Sequence, residues 1–240
     1  MAFVRFFRGS WITGYLLIKF SLGKKYPLFI IKLILYNYYL MTYNPYDFYF
    51  KKAKKEWYKA RSAFKLEEIQ NKFHIIDKNT KTVVDIGCAP WSWMQYTISL
   101  LQKMHVKDYK LIWFDLKKVE IQLPWMYTYV QDVTEQDKVN AIFAENWIDK
   151  VDFIQSDMAP NTIGDKETDA IRSIGLLEQT LRVYDKYLKP DGKFCTKIFM
   201  GPWFDEYVAN LKKKYGWKSI KVFKPESCRR ESKETYVIKI

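Results

Sequence analysis

The chain has 240 residues, of which 48% are hydrophobic and 28% are charged. These values fit one globular domain with at most a small appendage, and they exclude collagen-like, disordered and disulfide-scaffold proteins. The 40 basic residues outnumber the 27 acidic ones, so the formal charge is +13 and we expect a polyanionic partner. The three cysteines form no CxxC motif, and with only two histidines they match no common zinc-site spacing. We therefore expect a reducing cytosol and no structural metal.

The N-terminal segment differs from the rest of the chain in charge and hydropathy. No acidic residue precedes Asp47, and residues 26–41 are apolar or aromatic with a single lysine. This run is shorter than the roughly 20 apolar residues of a membrane span. Three interpretations stay open: translation that begins at Met41, an organellar transit peptide, and a membrane-surface anchor. We predict an extension over residues 1–41 and one domain over 42–240, cytoplasmic unless the extension directs it to an organelle.

Two amphipathic helices are predicted next, over about 46–57 and 63–73, because apolar residues recur there at helical spacing. Lysines are concentrated in the first helix, and a second basic stretch comes late in the chain. Basic side chains neutralise phosphates without reading bases. The predicted phosphate contacts are Lys51, Lys52, Lys54, Lys55, Lys59, Arg61, Lys224, Arg229 and Arg230. The aromatic residues among the lysines either stack on bases or face the core, and these are Tyr43, Tyr46, Tyr49, Phe50 and Tyr58.

Short apolar runs then alternate with amphipathic stretches. The runs predicted as strands are 82–86, 110–115, 127–130, 151–157 and 192–199. The helical patterns between them lie near 92–103, 136–147 and 168–187. Strands separated by helices indicate βαβ units, and so a parallel sheet that helices cover on both faces. The tail adds a helix near 203–214 and two closing strands at 218–223 and 234–240.

Unusual residues mark the predicted carboxyl ends of these strands, which is where such sheets bind ligands. A turn of small residues, 87–90, follows the first strand, and the second ends in Asp115, whose carboxylate can accept both hydroxyl hydrogens of a ribose. Asp132 follows the third strand, Asp157 ends the fourth, and Lys197 lies in the fifth. No G-x-G-x-x-G motif or phosphate loop is present, which disfavours a dinucleotide. A nucleoside-like cofactor without phosphates remains, and S-adenosyl-L-methionine fits that description.

Several motifs resemble one known family. SAFKLEEI, VVDIGCAP, WFD, SDMAPN, CTKIF and SKETYVI occur in order within residues 44–240 and resemble the FtsJ/RrmJ family of ribosomal RNA 2′-O-methyltransferases. The resemblance implies an α/β, Rossmann-like methyltransferase fold with a mostly parallel seven-stranded sheet and a reversed last strand. It also implies that S-adenosyl-L-methionine is the methyl donor.

The resemblance further implies two sets of site residues. The catalytic tetrad falls on Lys65, Asp157, Lys197 and Glu234, with Lys197 as proton acceptor. The cofactor contacts fall on Gly87, Ala89, Pro90, Trp91, Trp93, Asp115, Asp132 and Asp157. The sequence leaves the protonation state of Lys197 open, because a second lysine and two carboxylates act on it in opposite directions.

The implied activity is methylation of a ribose 2′-hydroxyl, of a uridine in large-subunit ribosomal RNA. The implied enzyme is a monomer without a metal that binds ribosomal RNA within the large subunit. Two alternatives stay open. One is a transfer RNA or cap 2′-O-methyltransferase, because such relatives share the tetrad. The other is a ribosome-assembly factor that binds RNA without turnover, its cofactor pocket closed by Trp91.

Three tryptophans stand where the resemblance leads us to expect glycine: Trp57, Trp91 and Trp203. An indole at Trp91 would lie where the backbone should meet the methionine end of the cofactor. The chain has nine glycines among 240 residues, a smaller share than the average of about 7%. It has the same number of tryptophans. We hypothesise that these three positions are glycine in the natural protein, through a UGA codon that the source reads as glycine.

Overall fold

The computed structural model describes residues 48–119 and 126–240. The predictions for residues 1–47 lie outside these described residues, including the domain boundary near residue 42, Tyr43 and Tyr46. From Tyr49 onward, the described chain is one compact unit. No helix in the described ranges is long and apolar enough to cross a membrane.

Helices and strands alternate through most of this unit. The first half contains α1 (Phe48–Lys55), α2 (Ala63–Phe73), β1 (Thr82–Ile86), α3 (Ser92–Lys103), β2 (Lys110–Asp115) and β3 (Met126–Val130). The second half contains α4 (Gln136–Glu145), β4 (Val151–Ser156), α5 (Lys166–Tyr187), β5 (Leu188–Phe199), α6 (Phe204–Tyr215), β6 (Ile220–Phe223) and β7 (Glu234–Lys239).

The strands form one seven-stranded sheet in the order β3-β2-β1-β4-β5-β7-β6. Strands β1 to β5 pair in parallel, whereas β7 runs antiparallel to both of its neighbours, β5 and β6. The predicted mostly parallel sheet with a reversed last strand is therefore confirmed.

Helices cover both faces of the sheet, because the strands are apolar on both faces. Val84 and Ile86 of β1 point into a core with apolar residues of α4, α5 and α6. Val83, the residue before Val84, points to the other face and joins a second core, with residues of α2 and α3. The alternation follows the two-residue period of a strand. The two cores fix the strand ends, and thereby the loops that follow them.

Two of the differences from the predicted element boundaries have a clear local cause. Strand β5 begins at Leu188 rather than near 192, because Leu188 pairs with Val151 before the register shifts at a Pro190-Asp191-Gly192 irregularity. Proline and glycine within a strand mark such irregular positions, and they concealed this one. Helix α1 ends at Lys55 rather than near 57, since Trp57 has a left-handed backbone with φ of 62°.

Candidate active site

A cleft of about 550 Å³ opens at the carboxyl edge of the sheet. Its walls come from the segments that follow β1, β2, β3 and β4. Five of the predicted cofactor residues lie in these walls: Gly87, Ala89, Asp115, Asp132 and Asp157. The fold thus brings together side chains that are distant in sequence, as expected for an open α/β sheet.

The turn after β1 approaches the opposite wall of the cleft closely. Gly87 has φ of +75°, and a Cβ at this position would lie 2.3 Å from Cγ of Met158. Only glycine fits both the backbone conformation and the space. Two residues later, the Ala89 amide donates a hydrogen bond of 2.7 Å to Oδ2 of Asp115. The turn is therefore held against the end of β2.

The two carboxylates deeper in the cleft are oriented by backbone amides. Asp115 accepts through Oδ1 from the Lys117 amide at 2.8 Å. Asp132 accepts through Oδ1 from the amide and the hydroxyl of Thr134, at 2.9 and 2.8 Å. A carboxylate has about four lone-pair sites, so both side chains keep acceptor capacity for a ligand.

Pro90 and Trp93 border a smaller cavity beside the cleft, together with Asp85 and Asp157. The Trp93 indole donates to the Ser62 carbonyl at 2.8 Å and is 3% exposed. It therefore joins the start of α2 to the start of α3, next to the cavity.

We expected the Trp91 indole to lie in the cofactor pocket, but it lies elsewhere. Its ring stacks on Trp113, with centroids 6.1 Å apart and an interplanar angle of 21°. Within the described residues, the walls of the cleft and of the smaller cavity do not include Trp91. The conflict lies in the backbone, since Trp91 has φ of 67°, a region that bulky residues rarely adopt.

The four predicted catalytic residues meet around Asp157, which lines the cleft. Nζ of Lys197 in β5 lies 3.1 Å from Oδ1 of Asp157 and also donates to the Asp157 carbonyl. Lys65 in α2 forms an ion pair with Glu234 in β7, and its Nζ is 3.9 Å from Oδ1 of Asp157. All four side chains are at most 20% exposed.

The charges around Lys65 and Asp157 stabilise the ionised forms of these two groups. Burial alone would lower the pKa of Lys65, but Asp157 and Glu234 outweigh burial and raise it. Burial alone would raise the pKa of Asp157, but Lys197 and Lys65 outweigh burial and lower it. The site therefore keeps Lys65 cationic and Asp157 anionic at neutral pH.

Sequence reasoning missed Tyr236, which lies at the centre of the tetrad. Its hydroxyl is 2.7 Å from Oδ1 of Asp157 and 2.6 Å from Oε1 of Glu234. A phenol has one hydrogen, so it donates to one carboxylate at a time. Burial, followed by the two carboxylates, raises the pKa of Tyr236. The two-residue spacing from Glu234 within one strand was the available signal, since it places both side chains on one face.

Asp85 lies under the turn after β1, within the VVDIGCAP motif. It was not predicted as a site residue. It is 1% exposed and accepts from Nε2 of Gln155 at 2.9 Å, while Oε1 of Gln155 accepts from the Thr97 hydroxyl. Burial raises the pKa of Asp85 to about 8. A carboxyl group that holds its proton near neutral pH thus borders the smaller cavity.

The predicted RNA-binding residues divide into two groups. Those exposed to solvent are Lys51, Lys54, Lys55, Lys59, Arg229 and Arg230. The other three make contacts within the protein. Lys52 binds Glu67 at 3.0 Å, Lys224 donates to the Ser232 carbonyl at 2.5 Å, and Arg61 donates to the Ser227 carbonyl. Across residues 48–119 and 126–240, no cluster of acidic, histidine or cysteine side chains is arranged to hold a metal ion.

Comparison with known proteins gives a consistent result. The sequence profile of the FtsJ-like methyltransferase family matches residues 58–240. The chain is 42% identical over 193 residues to the Ribosomal RNA large subunit methyltransferase E of Desulfosudis oleivorans, over 80% of this chain and 88% of that protein. The protein of the same name from Pelagibacter ubique is 41% identical over 197 residues, with coverage of 80% and 90%. A crystal structure described as a ribosomal RNA methyltransferase from Plasmodium falciparum is similar with a TM-score of 0.61 and 26% identity, over 76% of this chain and 97% of that chain.

Proposed function

Since the chain belongs to the FtsJ-like methyltransferase family, we propose that it methylates the ribose 2′-hydroxyl of a uridine in large-subunit ribosomal RNA. The methyl donor is S-adenosyl-L-methionine. The observation that carries this proposal is the cluster of Lys65, Asp157, Lys197 and Glu234, of which Asp157 lines a nucleoside-sized cleft. A protein that only binds RNA has no need of a buried, alternating set of charges there.

The residues of the cleft fit this cofactor. Asp115 and Asp132 supply acceptors for the hydroxyl and amine hydrogens of a nucleoside, and Phe114 and Met158 supply apolar walls. When bound, S-adenosyl-L-methionine supplies an electrophilic methyl group on a sulfonium.

Lys197 is the proton acceptor in this proposal, and its amine must be neutral when it accepts the proton of the 2′-hydroxyl. A ribose 2′-hydroxyl is a poor acid, so its attack benefits from a base within hydrogen-bond reach. Asp157 holds the Lys197 amine at 3.1 Å and fixes its direction. Lys65 and Tyr236 in turn hold Asp157 and Glu234, so the base rests on a rigid set of contacts. Alignment of hydroxyl and methyl group by this set supplies part of the acceleration.

The substrate proposal rests on charge and on relatives. The exposed basic residues of α1 and of the segment before β7 provide phosphate contacts of the kind an RNA requires. The relatives that match most of this chain are named for large-subunit ribosomal RNA, which favours it over transfer RNA or a cap. The proposal also includes that the protein acts in the cytoplasm and that it is a monomer. Both statements are consistent with a ribosomal substrate.

The non-catalytic alternative loses its main argument. It assumed that Trp91 closes the cofactor pocket, whereas the Trp91 ring stacks on Trp113 outside the cleft walls of the described residues. The tetrad is also assembled in a form that a binding module would not need.

A methyl-transfer assay tests the proposal directly. Radiolabelled S-adenosyl-L-methionine is incubated with the protein and, separately, with isolated large subunits, protein-free ribosomal RNA or transfer RNA. We expect label in the large-subunit RNA at a single nucleotide that resists alkaline cleavage, as a 2′-O-methyl group does. Lys197→Ala should abolish the label. Lys193→Ala is the matched control, because Lys193 lies on the same strand but binds Asp77. Label in transfer RNA alone would overturn the substrate assignment.

A further inference from the structure

The loop between β6 and β7, residues 224–232, is held against α2 by contacts that the proposed chemistry does not use. The Glu68 carboxylate accepts from two consecutive backbone amides, those of Glu226 at 2.5 Å and Ser227 at 3.0 Å. The Arg61 guanidinium donates to the carbonyl of the same Ser227. One short stretch of backbone is thus bound by an anion on its amides and a cation on its carbonyl. Such charge-assisted bonds are among the strongest hydrogen bonds in proteins.

This loop joins two parts of the active-site edge. At its solvent side, Arg229 and Arg230 are exposed. At its inner side, Cys228 is 6% exposed and its Sγ lies 3.5 Å from Oε1 of Glu234. Lys224 closes the base of the loop by donating to the Ser232 carbonyl. The position of the loop therefore sets the position of the two arginines relative to the tetrad.

Helix α2 carries both ends of this arrangement. Lys65 and Glu68 are three residues apart on α2, so they lie on one face of the helix. Burial, followed by the positive charge of Arg229, lowers the pKa of Arg61. The charge of Arg229 is thus close enough to Arg61 to act on it.

We propose that Glu68, assisted by Arg61, is a positioning residue for the RNA substrate. It holds the 224–232 loop so that Arg229 and Arg230 stand beside the tetrad, where they contact the phosphates that flank the target ribose. This inference rests on the proposed RNA substrate. It assigns Arg61 a role through Ser227, in addition to the phosphate contact expected from the sequence.

Glu68→Gln tests the proposal, with Glu67→Gln as the matched control. Glutamine at 68 loses the charge and turns an NH₂ group toward a backbone amide, whereas Glu67 forms an ion pair with the Lys52 side chain. We expect Glu68→Gln to raise the KM for RNA about tenfold, the loss of one charge-assisted hydrogen bond. The kcat and the Kd for S-adenosyl-L-methionine should stay within about twofold, and Glu68→Asp should restore part of the RNA affinity.

A double-mutant cycle separates positioning from general stability. If Glu68 acts through the arginines, Arg229→Ala/Arg230→Ala in the Glu68→Gln background adds little further loss of RNA affinity. Additive losses, or an unchanged KM in Glu68→Gln, would overturn the proposal. Amide exchange of residues 226 and 227 is measured in the same proteins. If the wild type neither binds nor methylates RNA, the proposed function fails and the RNA role of Glu68 fails with it. Faster amide exchange in Glu68→Gln would then show a purely structural clamp.

A second, independent observation concerns the tryptophans. The described residues contain seven: Trp57, Trp91, Trp93, Trp113, Trp147, Trp203 and Trp217. Four of them have positive φ, namely Trp57 at 62°, Trp91 at 67°, Trp147 at 54° and Trp203 at 62°. A bulky residue with φ above zero is a genuine outlier, and glycine is the usual residue there.

The local hydrogen bonds show why these positions need glycine. Trp57 and Trp147 follow α1 and α4, and in each case the next amide bonds to a carbonyl five residues earlier, Tyr58 to Ala53 and Ile148 to Phe143. This is the Schellman pattern, in which glycine commonly occupies the left-handed position. Trp91 and Trp203 immediately precede α3 and α6, again in the left-handed conformation.

Packing gives no reason for an indole at three of these sites. Trp57, Trp147 and Trp203 are 87%, 92% and 62% exposed. Trp93 and Trp113, by contrast, are buried at 3% and 1% and have no positive φ. The chain thus holds two kinds of tryptophan position, one that suits the side chain and one that suits glycine.

We infer that positions 57, 91, 147 and 203 are glycine in the natural protein, encoded by a UGA codon that its cell reads as glycine. Position 147 was not indicated by the family resemblance, so the backbone extends the hypothesis to a new site. The codons and the peptide masses of the protein from its own cell are decisive. We expect UGA and glycine at the four positions, and UGG and tryptophan at 93 and 113. UGG at the four positions would overturn the inference.

Stability measurements give a second readout. Trp147→Gly and Trp203→Gly should each raise the folding equilibrium constant about 5-fold to 150-fold, through relief of left-handed strain. Trp217→Gly is the matched control, since Trp217 is 68% exposed without a positive φ. It should give no gain. Equal effects at 147, 203 and 217 would contradict the backbone argument.

Discussion

The tetrad and the turn after β1 lie at one edge of the sheet, but the sequence suits them unequally. In the tetrad, Lys65 and Lys197 each contact a carboxylate, and Tyr236 bridges the two acids. In the turn, Gly87 suits its left-handed backbone, whereas Trp91 occupies the same region with a bulky side chain. The electrostatics of a site and the local preference of its backbone are thus separate requirements. Substitutions in the tetrad should therefore affect methyl transfer, whereas substitutions in the turn should affect cofactor binding.

The largest expected effect is in the tetrad. Lys197→Ala removes the proposed base, and we expect kcat to fall by about 10²-fold to 10⁴-fold, the usual contribution of a general base. The Kd for S-adenosyl-L-methionine should change little, because Lys197 is not among the residues that line the cleft. Single-turnover methyl transfer and calorimetric titration measure the two quantities. A kcat within tenfold of the wild type would assign Lys197 a positioning role instead.

The next effect is in the turn, and it should appear in binding. Trp91→Gly relieves a strained backbone, worth about 1–3 kcal/mol, next to the cofactor loop. Strain that is present in both the free and the bound protein cancels in the Kd, so the affinity changes only through the share of free protein whose turn has the binding conformation. Because glycine raises that share, we expect S-adenosyl-L-methionine to bind up to about tenfold more tightly, with kcat changed less than the Kd. Calorimetry compares this variant with Trp217→Gly, which lacks the left-handed backbone. Equal affinity in Trp91→Gly and the unsubstituted chain would mean that the turn tolerates tryptophan without loss.

A third prediction concerns pH, at the carboxyl group beneath the turn. Folded Asp85 has a pKa of about 8, against 3.8 for an ordinary aspartate, because it is buried. Between these two pH values the folded state binds more protons at Asp85 than the unfolded chain does. The stabilisation that this proton gives to the folded state is therefore fully present below about pH 4 and declines as the pH rises toward 8. The decline is at most about 1.4 kcal/mol per pH unit.

Asp85→Asn should therefore remove the decline in the free energy of unfolding that ionisation of Asp85 causes between pH 5 and pH 8. Urea unfolding at pH 5 and pH 8 measures the free energy of unfolding, and the variant should gain more at pH 8 than at pH 5. Asp149→Asn makes the same chemical change on the surface and is the control. A variant whose gain is the same at both pH values would show that Asp85 is ionised throughout.

The smallest effect should come from the exposed lysines of α1. Lys54→Ala/Lys55→Ala removes two phosphate contacts, and the slope of log K against log salt for RNA binding should fall by about 1.4 to 1.8. Lys212→Ala/Lys213→Ala, in α6, removes equal charge from a helix outside the predicted RNA contacts and is the control. Equal slopes for the two variants would mean that RNA binding is spread over the whole basic surface.

The sequence predicted the tetrad because each of its members lies in a recognisable motif on a predicted strand or helix. Tyr236 was missed since its role depends on β7 lying beside β5, which pairs it with Lys197 across strands. The Glu68 contacts with residues 226 and 227 join positions more than 150 residues apart, so no local pattern could indicate them. The first residues of β5, from Leu188, were not predicted because a proline and a glycine interrupt the strand pattern.

The order of the strands has a consequence for how the enzyme becomes active. Strand β7 follows β6 in the chain, yet it inserts between β5 and β6. Until it does so, β5 and β6 each have an open edge in the nascent protein, a state prone to aggregation. Glu234 and Tyr236 lie on this inserted strand, so the proposed catalytic cluster is incomplete until β7 pairs with β5. A chaperone that covered these two edges would therefore protect the cluster while it is incomplete.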